Sequence, residues 1–473
     1  MATLQMPQKP TWRLRTPERR ALLFIGDSVA SLLALLIALY IWGSSDYLKF
    51  SLEFLRVRTD FWIYLLPFLW ILMMTELYDV RRAGNRKETF QGIATAAAVW
   101  FILYMIVFFI ATKGTLPRRS VAAFIIAASS LTLAWRLIYI NVFTAPAFMR
   151  RVIIVGAGRA GCEMVRVVKG IWPPPFFLVG LVDDDPEKIG TRVEDVPVLG
   201  GGDKLFDLIR QYQVTDLVFA ISGPMNPDMF QALLDAEEQG IEVTSMPALY
   251  EELLGRVPIF LLHSDWVLRS FIDQSHTNGM YEVAKRLMDI VGGLVGVLLL
   301  LPLLPFITIG ILLDSGRPVF YTQERLGKNN RLYRILKFRT MYQDAEKDGK
   351  PRPAVENDER VTRMGRFLRK SHLDELPQFL NVLRGDMSLV GPRAERPSLV
   401  AELQHSIPFY RARLFVKPGL TGWAQVNFGY ASDAAANAVK LEYDLYYIKH
   451  RNLLLDLVIL IRTVGTVVGL RGQ

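Results

Sequence analysis

Long apolar segments dominate the first third of the chain. Four of them approach the length that crosses a bilayer: residues 21–43, 61–77, 90–112 and 121–140. The second segment is short and the fourth contains Arg136 near its end, so these two have weaker support. Basic residues precede the first segment, separate the second from the third and follow the fourth. The positive-inside rule then places both ends in the cytoplasm, and we predict a four-helix transmembrane bundle over residues 1–145.

The next stretch alternates between strand and helix patterns. Predicted strands at 151–155, 177–182, 216–221 and 241–245 are separated by helical segments, which indicates a Rossmann-like parallel α/β domain over residues 146–262. The first strand runs into a glycine loop formed by Gly156, Gly158 and Gly161. Either this loop binds a nucleotide on its N–H groups, with an acidic residue after the second strand on a ribose, or it only shapes the scaffold.

A fifth apolar segment follows a predicted linker at residues 263–280. It extends to residue 313, begins behind Lys285 and Arg286, and carries Pro302 and Pro305 in its second half. Basic residues lie on both sides, so both flanks favour the cytoplasm. We therefore predict a re-entrant membrane helix over residues 285–313 that is broken at the prolines, enters and leaves the same leaflet, and leads a mixed α/β catalytic domain, residues 281–473. The alternative is an ordinary fifth span, which would place that domain outside the cell.

Composition supports a membrane protein. Of the 473 residues, 51% are hydrophobic, the mean hydropathy is +0.24 and the net charge is +9. In so apolar a chain, the basic excess indicates an anionic membrane surface and anionic substrates, and we expect no nucleic-acid partner. The single cysteine, Cys162, excludes an intrachain disulfide and a cysteine-rich metal site.

Two adjacent carboxylates, Asp374 and Glu375, stand out in the last third. Apolar residues spaced at helical intervals predict a helix over residues 375–384, with Pro377 tolerated in its first turn and Gly385 as its end. A helix start with free N–H groups favours phosphate and ionised carboxylates, which suggests Mg²⁺-assisted phosphoryl chemistry. The plainer interpretation is that acidic residues cap helices.

Cations in the same region could hold phosphate groups. Lys337 and Arg339 alternate on one side of a predicted strand, Arg369 shortly precedes the carboxylates, and Arg393 ends a Gly-Pro-Arg turn. The alternative for the strand pair is a solvated basic edge.

Together these motifs resemble the bacterial sugar transferase family, the monotopic phosphoglycosyl transferases, whose large members include undecaprenyl-phosphate galactose and glucose phosphotransferases. The resemblance covers about residues 280–473. The first half of the chain looks like the N-terminal half of the large members. The segments that carry the resemblance are Lys285-Arg286, Lys337-Phe338-Arg339, the run from Asp374 to Gln378, Gly391-Pro392-Arg393 and Pro418-Gly419.

The resemblance implies transfer of a sugar-1-phosphate from a UDP-sugar, carrying glucose, galactose or a modified hexose, to undecaprenyl phosphate. Asp374 would form a covalent phosphosugar intermediate and release UMP, and Glu375 would hold Mg²⁺. Lys337, Arg339, Arg369 and Arg393 would bind substrate phosphates. Asp456 matches a further acidic position and either touches the metal or orients an arginine.

The resemblance also implies a cellular setting. The enzyme would initiate cell-surface polysaccharide synthesis, such as exopolysaccharide or O-antigen. It would be a multi-pass protein of the bacterial inner membrane, in contact with lipid, and its catalytic domain would be cytoplasmic. We expect a homodimer, because the bundle and the α/β domain offer large surfaces.

Three positions depart from the family pattern. Ala394 replaces the usual proline after Gly-Pro-Arg, and Leu301 replaces a frequent serine before Pro302. The segment at residues 428–430 lacks an arginine that some members carry nearby.

Two other classes compete with this interpretation. A nucleotide-sugar dehydratase or epimerase would use a Tyr-x-x-x-Lys pair, which occurs as Tyr281 and Lys285, although outside the α/β domain. A non-enzymatic scaffold would use the α/β domain to sense a nucleotide, and the clustered motifs argue against this as the whole function.

Overall fold

The computed structural model of this protein describes most of the chain. The described residues are 16–78, 80–110, 118–143, 149–221, 223, 225–262, 279–343, 345, 358–429 and 433–468. They form two compact units, Met1–Leu253 and Leu254–Gln473. Three described helices are long and apolar enough to cross a membrane by length and composition: Glu18–Ser44, Arg118–Phe143 and Gly279–Ser315.

The first unit begins with apolar helices that match the predicted bundle only in part. The first, third and fourth predicted spans lie in Thr16–Ser44, Arg86–Ile110 and Arg118–Phe143, except that residues 111 and 112 lie outside the described residues. The second span is divided into Phe61–Tyr64, Leu66–Met73 and the 3₁₀ turn Thr75–Tyr78. Pro67, which has no N–H to donate back to the preceding turn, explains the first break. Short helices at Leu52–Val57 and Val80–Ala83 complete this part, and a four-helix bundle is not confirmed.

A buried ion pair joins the first and last of these helices. Arg136 donates from Nε and Nη2 to the two carboxylate oxygens of Asp27, at 3.2 and 2.5 Å, and from Nη1 to the carbonyl of Leu77 at 2.7 Å. Both charged side chains are completely buried. The charge of Arg136, which weakened the prediction of the fourth span, is therefore neutralised inside the unit, as a charged group among apolar helices requires.

The α/β part contains a mainly parallel sheet, as the alternation of elements predicted, but it has six strands where four were predicted. The strands are β1 (Arg151–Val155), β2 (Phe177–Val182), β3 (Arg192–Val193), β4 (Val196–Gly200), β5 (Asp216–Phe219) and β6 (Glu242–Ser245). Their order is β3-β4-β2-β1-β5-β6, parallel throughout except for the antiparallel edge strand β3. The sequence pattern missed the β3–β4 hairpin. The helices are Arg159–Gly170, Leu205–Tyr212, Pro227–Glu238 and Met246–Leu254, with a 3₁₀ turn at Gly202–Lys204.

The second unit surrounds the acidic run with two small sheets and short helices. A hairpin pairs β7 (Phe320–Leu326) with β8 (Leu332–Phe338), and β9 (Ser388–Val390) lies parallel to β10 (Gly419–Thr421). Val257 and Ile259, which the sequence pattern assigned to the α/β domain, pack in the core of this unit. The predicted linker lies largely outside the described residues. The helices are Gly279–Ser315, Arg363–Lys370, Phe379–Arg384, Pro397–Ser406, Trp423–Asn427, Ala434–His450 and Leu453–Val468, with 3₁₀ turns at Lys328–Asn330, Leu373–Gln378 and Tyr410–Phe415.

The helix Gly279–Ser315, called the long apolar helix below, runs without interruption through Pro302 and Pro305, so the predicted break at these prolines was wrong. Gly292, Gly293 and Gly296 do not break it. At each of these positions a Cβ atom would collide with a side chain of the 379–389 segment, so the glycines allow close packing. The opposite face exposes large apolar side chains along the whole length, as expected for a surface in contact with lipid.

Candidate active site

The two carboxylates lie in a 3₁₀ turn, Leu373–Gln378, and the α-helix starts only at Phe379. The turn follows His372, which has a left-handed backbone with φ 56°. Gly385 ends the helix with φ 91°, as the sequence predicted. The N–H of Glu375 donates to the carbonyl of His372 at 3.2 Å, so it is not one of the free helix-start donors that we expected. Positive charge near the carboxylates is therefore supplied by side chains.

Two cations from separate elements bind the same oxygen of Glu375. Lys337 on β8 donates from Nζ to Oε1 at 2.7 Å, and Arg393 donates from Nη2 to the same atom at 2.8 Å. The other predicted cation, Arg369, donates from Nε to the hydroxyl of Thr340 at 3.0 Å and adds positive potential at Asp374. Three of the four predicted phosphate-binding cations thus surround the carboxylate pair.

The environment drives the pKa values of the two carboxylates apart. Burial raises the pKa of Asp374 to about 6, and the negative charge of Glu375 contributes to this rise. Burial acts in the same direction on Glu375, but Arg393 and Lys337 outweigh it and hold the pKa of Glu375 well below its usual range. Glu375 is therefore a permanent anion, whereas Asp374 is ionised near neutral pH and becomes protonated in mild acid.

The fourth predicted cation, Arg339, has a different role. Strand β8 ends at Phe338, and the guanidinium of Arg339 turns to the end of the long apolar helix. It donates to the carbonyls of Ser315, Gly316 and Arg317 at 2.8, 2.5 and 2.7 Å. These bonds satisfy carbonyls near a helix end, so the contacts of Arg339 do not support its predicted role in substrate binding.

Asn381 positions the strand that carries Lys337, and the sequence analysis missed this role. Its side-chain amide accepts from the N–H of Leu336 at 3.0 Å and donates to the carbonyl of Arg334 at 2.8 Å. The amide thus takes the place of a neighbouring strand along the free edge of β8. The only signal in the sequence was a polar residue in an apolar helical run.

Asp456 anchors the start of the long apolar helix. Its Oδ2 accepts from Lys285 at 3.0 Å and from the hydroxyl of Tyr281 at 3.1 Å, and its Oδ1 accepts from Tyr447 at 2.8 Å. Both oxygens of this fully buried carboxylate are occupied, and the cation that it binds is a lysine, where we expected a metal or an arginine. Tyr281 and Lys285, the pair that a dehydratase or epimerase would use, thus both bind Asp456 in the second unit, whereas the glycine loop lies in the first unit. The next residue, Arg286, donates to the carbonyls of Val382 and Leu383 at 2.8 and 2.7 Å.

The glycine loop of the α/β part is closed by its own acidic residue. Asp183, directly after β2, accepts from the N–H of Ala157 at 2.7 Å and from Lys188 at 3.3 Å. Gly156 has φ 108°, and a Cβ at Gly161 would collide with the Gly156 carbonyl, so both glycines are required by the turn itself. These contacts agree with the scaffold alternative, and nucleotide binding by the loop stays a prediction.

Magnesium fits the carboxylate pair only with help from a substrate. Among the described residues, no group of three or more His, Cys, Asp or Glu side chains could hold a metal ion. Mg²⁺ commonly uses one or two carboxylates together with substrate phosphates and water, and Asp374 and Glu375 would supply that number.

Comparison with known proteins identifies the second unit. A family model described as Bacterial sugar transferase matches residues 280–469. A protein from Rhizobium leguminosarum bv. phaseoli, described as "Exopolysaccharide production protein PSS", is 38% identical over 187 residues, which are 38% of this chain and 94% of that protein. The chain belongs to the bacterial sugar transferase family. A second family model, described as a CoA-binding domain, matches residues 73–247.

Two further relatives carry names that describe a reaction. The Aeromonas hydrophila UDP-N-acetylgalactosamine-undecaprenyl-phosphate N-acetylgalactosaminephosphotransferase is 44% identical over 227 residues, 48% of this chain and 52% of that protein. The Xanthomonas campestris pv. campestris UDP-glucose:undecaprenyl-phosphate glucose-1-phosphate transferase is 34% identical over 291 residues, 59% of this chain and 58% of that protein. The chain thus spans between half and three fifths of these two sugar transferases.

Proposed function

We propose that this sugar transferase moves a sugar-1-phosphate from a UDP-sugar to undecaprenyl phosphate and releases UMP. The observation that carries the proposal is the pair Asp374 and Glu375, with Lys337 and Arg393 bound to Glu375. A carboxylate that is ionised near neutral pH lies beside a second, permanently charged one, and cations surround both. The names of the relatives support both the sugar donor class and the lipid acceptor.

In the first step, an oxygen of Asp374 attacks the phosphorus that bears the sugar. The bond from that phosphorus to the bridging oxygen breaks, and UMP leaves with the electron pair. A carboxylate needs no base to activate it, because the pKa of Asp374, although raised to about 6, lies below neutral pH. Arg369 and Arg393 would stabilise the negative charge that develops on the phosphate oxygens.

In the second step, a phosphate oxygen of undecaprenyl phosphate attacks the same phosphorus. The bond to Asp374 breaks and its carboxylate is restored, so the two steps balance without another reactant. Glu375 would hold Mg²⁺, which would offset the repulsion between the reacting anions in both steps. Lys337 and Arg393 hold Glu375 in place throughout.

We also propose that the long apolar helix bends at Pro302 and Pro305 and thereby enters and leaves the same face of the membrane. Near its start, Arg286 binds the carbonyls of Val382 and Leu383, and near its end Asp314 accepts from the N–H of Met364 at 2.8 Å. Residues 286 and 314 would be about 42 Å apart in a straight helix, more than the roughly 30 Å hydrocarbon core. A span would force one of these polar contacts to the far side, so their position in one unit supports re-entry.

The proposed setting follows from the same arrangement. The catalytic unit would lie on the cytoplasmic face of the bacterial inner membrane, where a soluble donor and a lipid acceptor meet. The reaction would initiate cell-surface polysaccharide synthesis. The proposed homodimer can be tested by the mass of the protein in nanodiscs.

The decisive experiment measures UMP release by the full chain in nanodiscs with undecaprenyl phosphate and Mg²⁺. UDP-glucose, UDP-galactose and UDP-N-acetylgalactosamine are compared as donors, with Asp374→Asn beside the unmodified protein. We expect release with one donor and a loss of about 10³-fold or more in the variant. Release that survives in Asp374→Asn would exclude this residue as the nucleophile. Absence of release with every donor, with NAD bound instead, would favour a dehydratase.

A further inference from the structure

We propose that Arg413, which makes no contact with the carboxylate pair, is a positioning residue that aims Arg393 at Glu375. The inference rests on the proposed function, since it assigns a purpose to the orientation of Arg393. Its structural part, that Arg413 fixes the backbone of the Arg393 turn, stands separately and can be tested without any substrate.

Four consecutive carbonyls of this turn accept hydrogen bonds from four different places in the chain. The Pro392 carbonyl accepts from the N–H of Gly419 at 2.9 Å, and the Glu395 carbonyl accepts from the N–H of Leu326 at 3.1 Å. Between them, the Arg393 carbonyl accepts from Nη2 of Arg413 at 3.2 Å, and the Ala394 carbonyl accepts from Nη1 of Arg325 at 3.3 Å. The backbone that carries the active-site guanidinium is therefore fixed on all four peptide units.

This fixation matters because packing constrains the side chain of Arg393 only weakly. Its side chain is 45% exposed, so packing does not select its rotamer as it would in a core. In addition, Ala394 occupies the position where the family pattern has proline, so the turn lacks that restriction of φ. The direction of the guanidinium then depends on the hydrogen bonds that hold the backbone.

Arg413 can provide this support because its own position is fixed. Its side chain is 2% exposed, and its Nη1 donates to the hydroxyl of Tyr410 at 2.9 Å and to Oε1 of Glu395 at 3.3 Å. Its Nη2 donates to Asp444 at 2.7 Å as well as to the Arg393 carbonyl. A guanidinium can make these four bonds at once, whereas a lysine ammonium has three donors on a single atom.

A second cation also binds Glu395 in this cluster. Lys440 donates to the same Oε1 of Glu395 at 2.5 Å. The hydrogen bonds described above for Arg413, Lys440, Glu395 and Asp444 do not go to Glu375, and the 392–395 turn links them to the backbone of Arg393. A residue that stabilised the unit in general would not need to bind the carbonyl of an active-site arginine.

The kinetic test is a double-mutant cycle in the full-length protein. Arg413→Lys keeps the charge but cannot hold all four partners, and we expect it to lower kcat/KM for UMP release about tenfold. In an Arg393→Ala background, the same change should cost less than about twofold, because the side chain that Arg413 aims is absent. An equal loss in both backgrounds, or no loss with Arg393 present, would overturn the proposal.

The matched control is Glu442→Gln, which removes the charge of another ion pair of the helix Ala434–His450, the partly buried pair of Glu442 with Arg256. Side chains two positions apart on a helix do not face each other, so Glu442 points away from Asp444, and UMP release should remain within about twofold of the unmodified protein. If Arg413→Lys does not fold, the neutral pair Arg413→Gln with Asp444→Asn replaces it in the cycle.

Amide hydrogen exchange tests the structural part without substrate. In Arg413→Lys, exchange should become faster at residues 391–395 and stay unchanged in the β7–β8 hairpin away from Leu326. Unchanged exchange across the turn would overturn the positioning role. If the unmodified protein releases no UMP, the proposed function fails, and the exchange result still decides whether Arg413 fixes the turn.

Discussion

Lys337 and Arg393 bind the same oxygen atom of Glu375, although 56 positions of the chain separate them. One comes from a hairpin strand and the other from a turn next to β9, so the acidic pair is the point where these elements meet. The arrangement keeps Glu375 charged in a buried place and leaves its neighbour, Asp374, as the group whose protonation changes near neutral pH.

The fall in rate on the acid side of the pH–rate profile should reflect protonation of Asp374. Because its pKa is raised to about 6, the carboxylate that we propose as the nucleophile becomes protonated as the pH falls through that value. We expect kcat/KM for UMP release to be level above about pH 7 and to fall tenfold per unit well below pH 6. Rates measured from pH 4.5 to 8.5 with a saturating metal concentration check this. A fall in kcat/KM that is centred near pH 4 instead would contradict the raised pKa of Asp374.

Replacing Lys337 with methionine should move the acid-side fall in kcat/KM to higher pH. Lys337 lowers the pKa of both carboxylates, so its removal raises both and weakens the hold on Glu375. We expect a loss of about 10–100-fold in kcat/KM at pH 7 that is smaller at pH 8.5. Lys328→Met, in the exposed turn of the same hairpin, serves as the matched control and should leave both the rate and the pH of this fall unchanged.

Gly296→Leu should loosen the long apolar helix from the catalytic unit. A side chain there collides with the ring of Phe379, the first residue of the helix behind the acidic turn. We expect destabilisation of about 1–3 kcal/mol, as for overpacked cores. Thermal unfolding in detergent measures it. Val295→Leu, at a neighbouring position where the side chain is 50% exposed, should change the midpoint little.

The Asp27–Arg136 pair should behave as a unit. Removing either charge leaves the other buried without its partner, so Asp27→Leu or Arg136→Leu should each cost about 3–5 kcal/mol. The double variant carries no unpaired charge and should recover most of the loss. Unfolding in nanodiscs or detergent measures the three variants. A double variant as unstable as the sum of the single ones would show that the two residues contribute independently.

Apolar strand patterns and a helix-ending glycine in the sequence predicted several elements correctly. Strands β1 and β2 have the predicted bounds, and Gly385 ends its helix as expected. The β3–β4 hairpin was missed because its turn is formed by Glu194 and Asp195, both with positive φ, where asparagine or glycine would have given a signal.

The charged residues of the candidate site could be predicted from the sequence, but the partners of these residues could not. Asp374, Glu375, Lys337 and Arg393 come together as expected, because the motifs are specific in combination. Arg339 was assigned by alternation along a strand, and alternation gives no information where the strand ends. Arg413 lies in an irregular 3₁₀ turn and contacts residues distant in sequence, so only the folded chain reveals its role.

The buried ion pair also constrains how the chain is made. Asp27 and Arg136 are 109 positions apart, so at about 5–20 residues per second roughly 5–20 s pass between the synthesis of the two residues. If these helices insert into the membrane during translation, the first helix carries an unmatched carboxylate during that interval, at a cost of about 2.5–3.5 kcal/mol. Until Arg136 is made, the apolar residues around Asp27 must offset this cost. The order of biogenesis, and not only the finished structure, thus limits how polar the first helix can become.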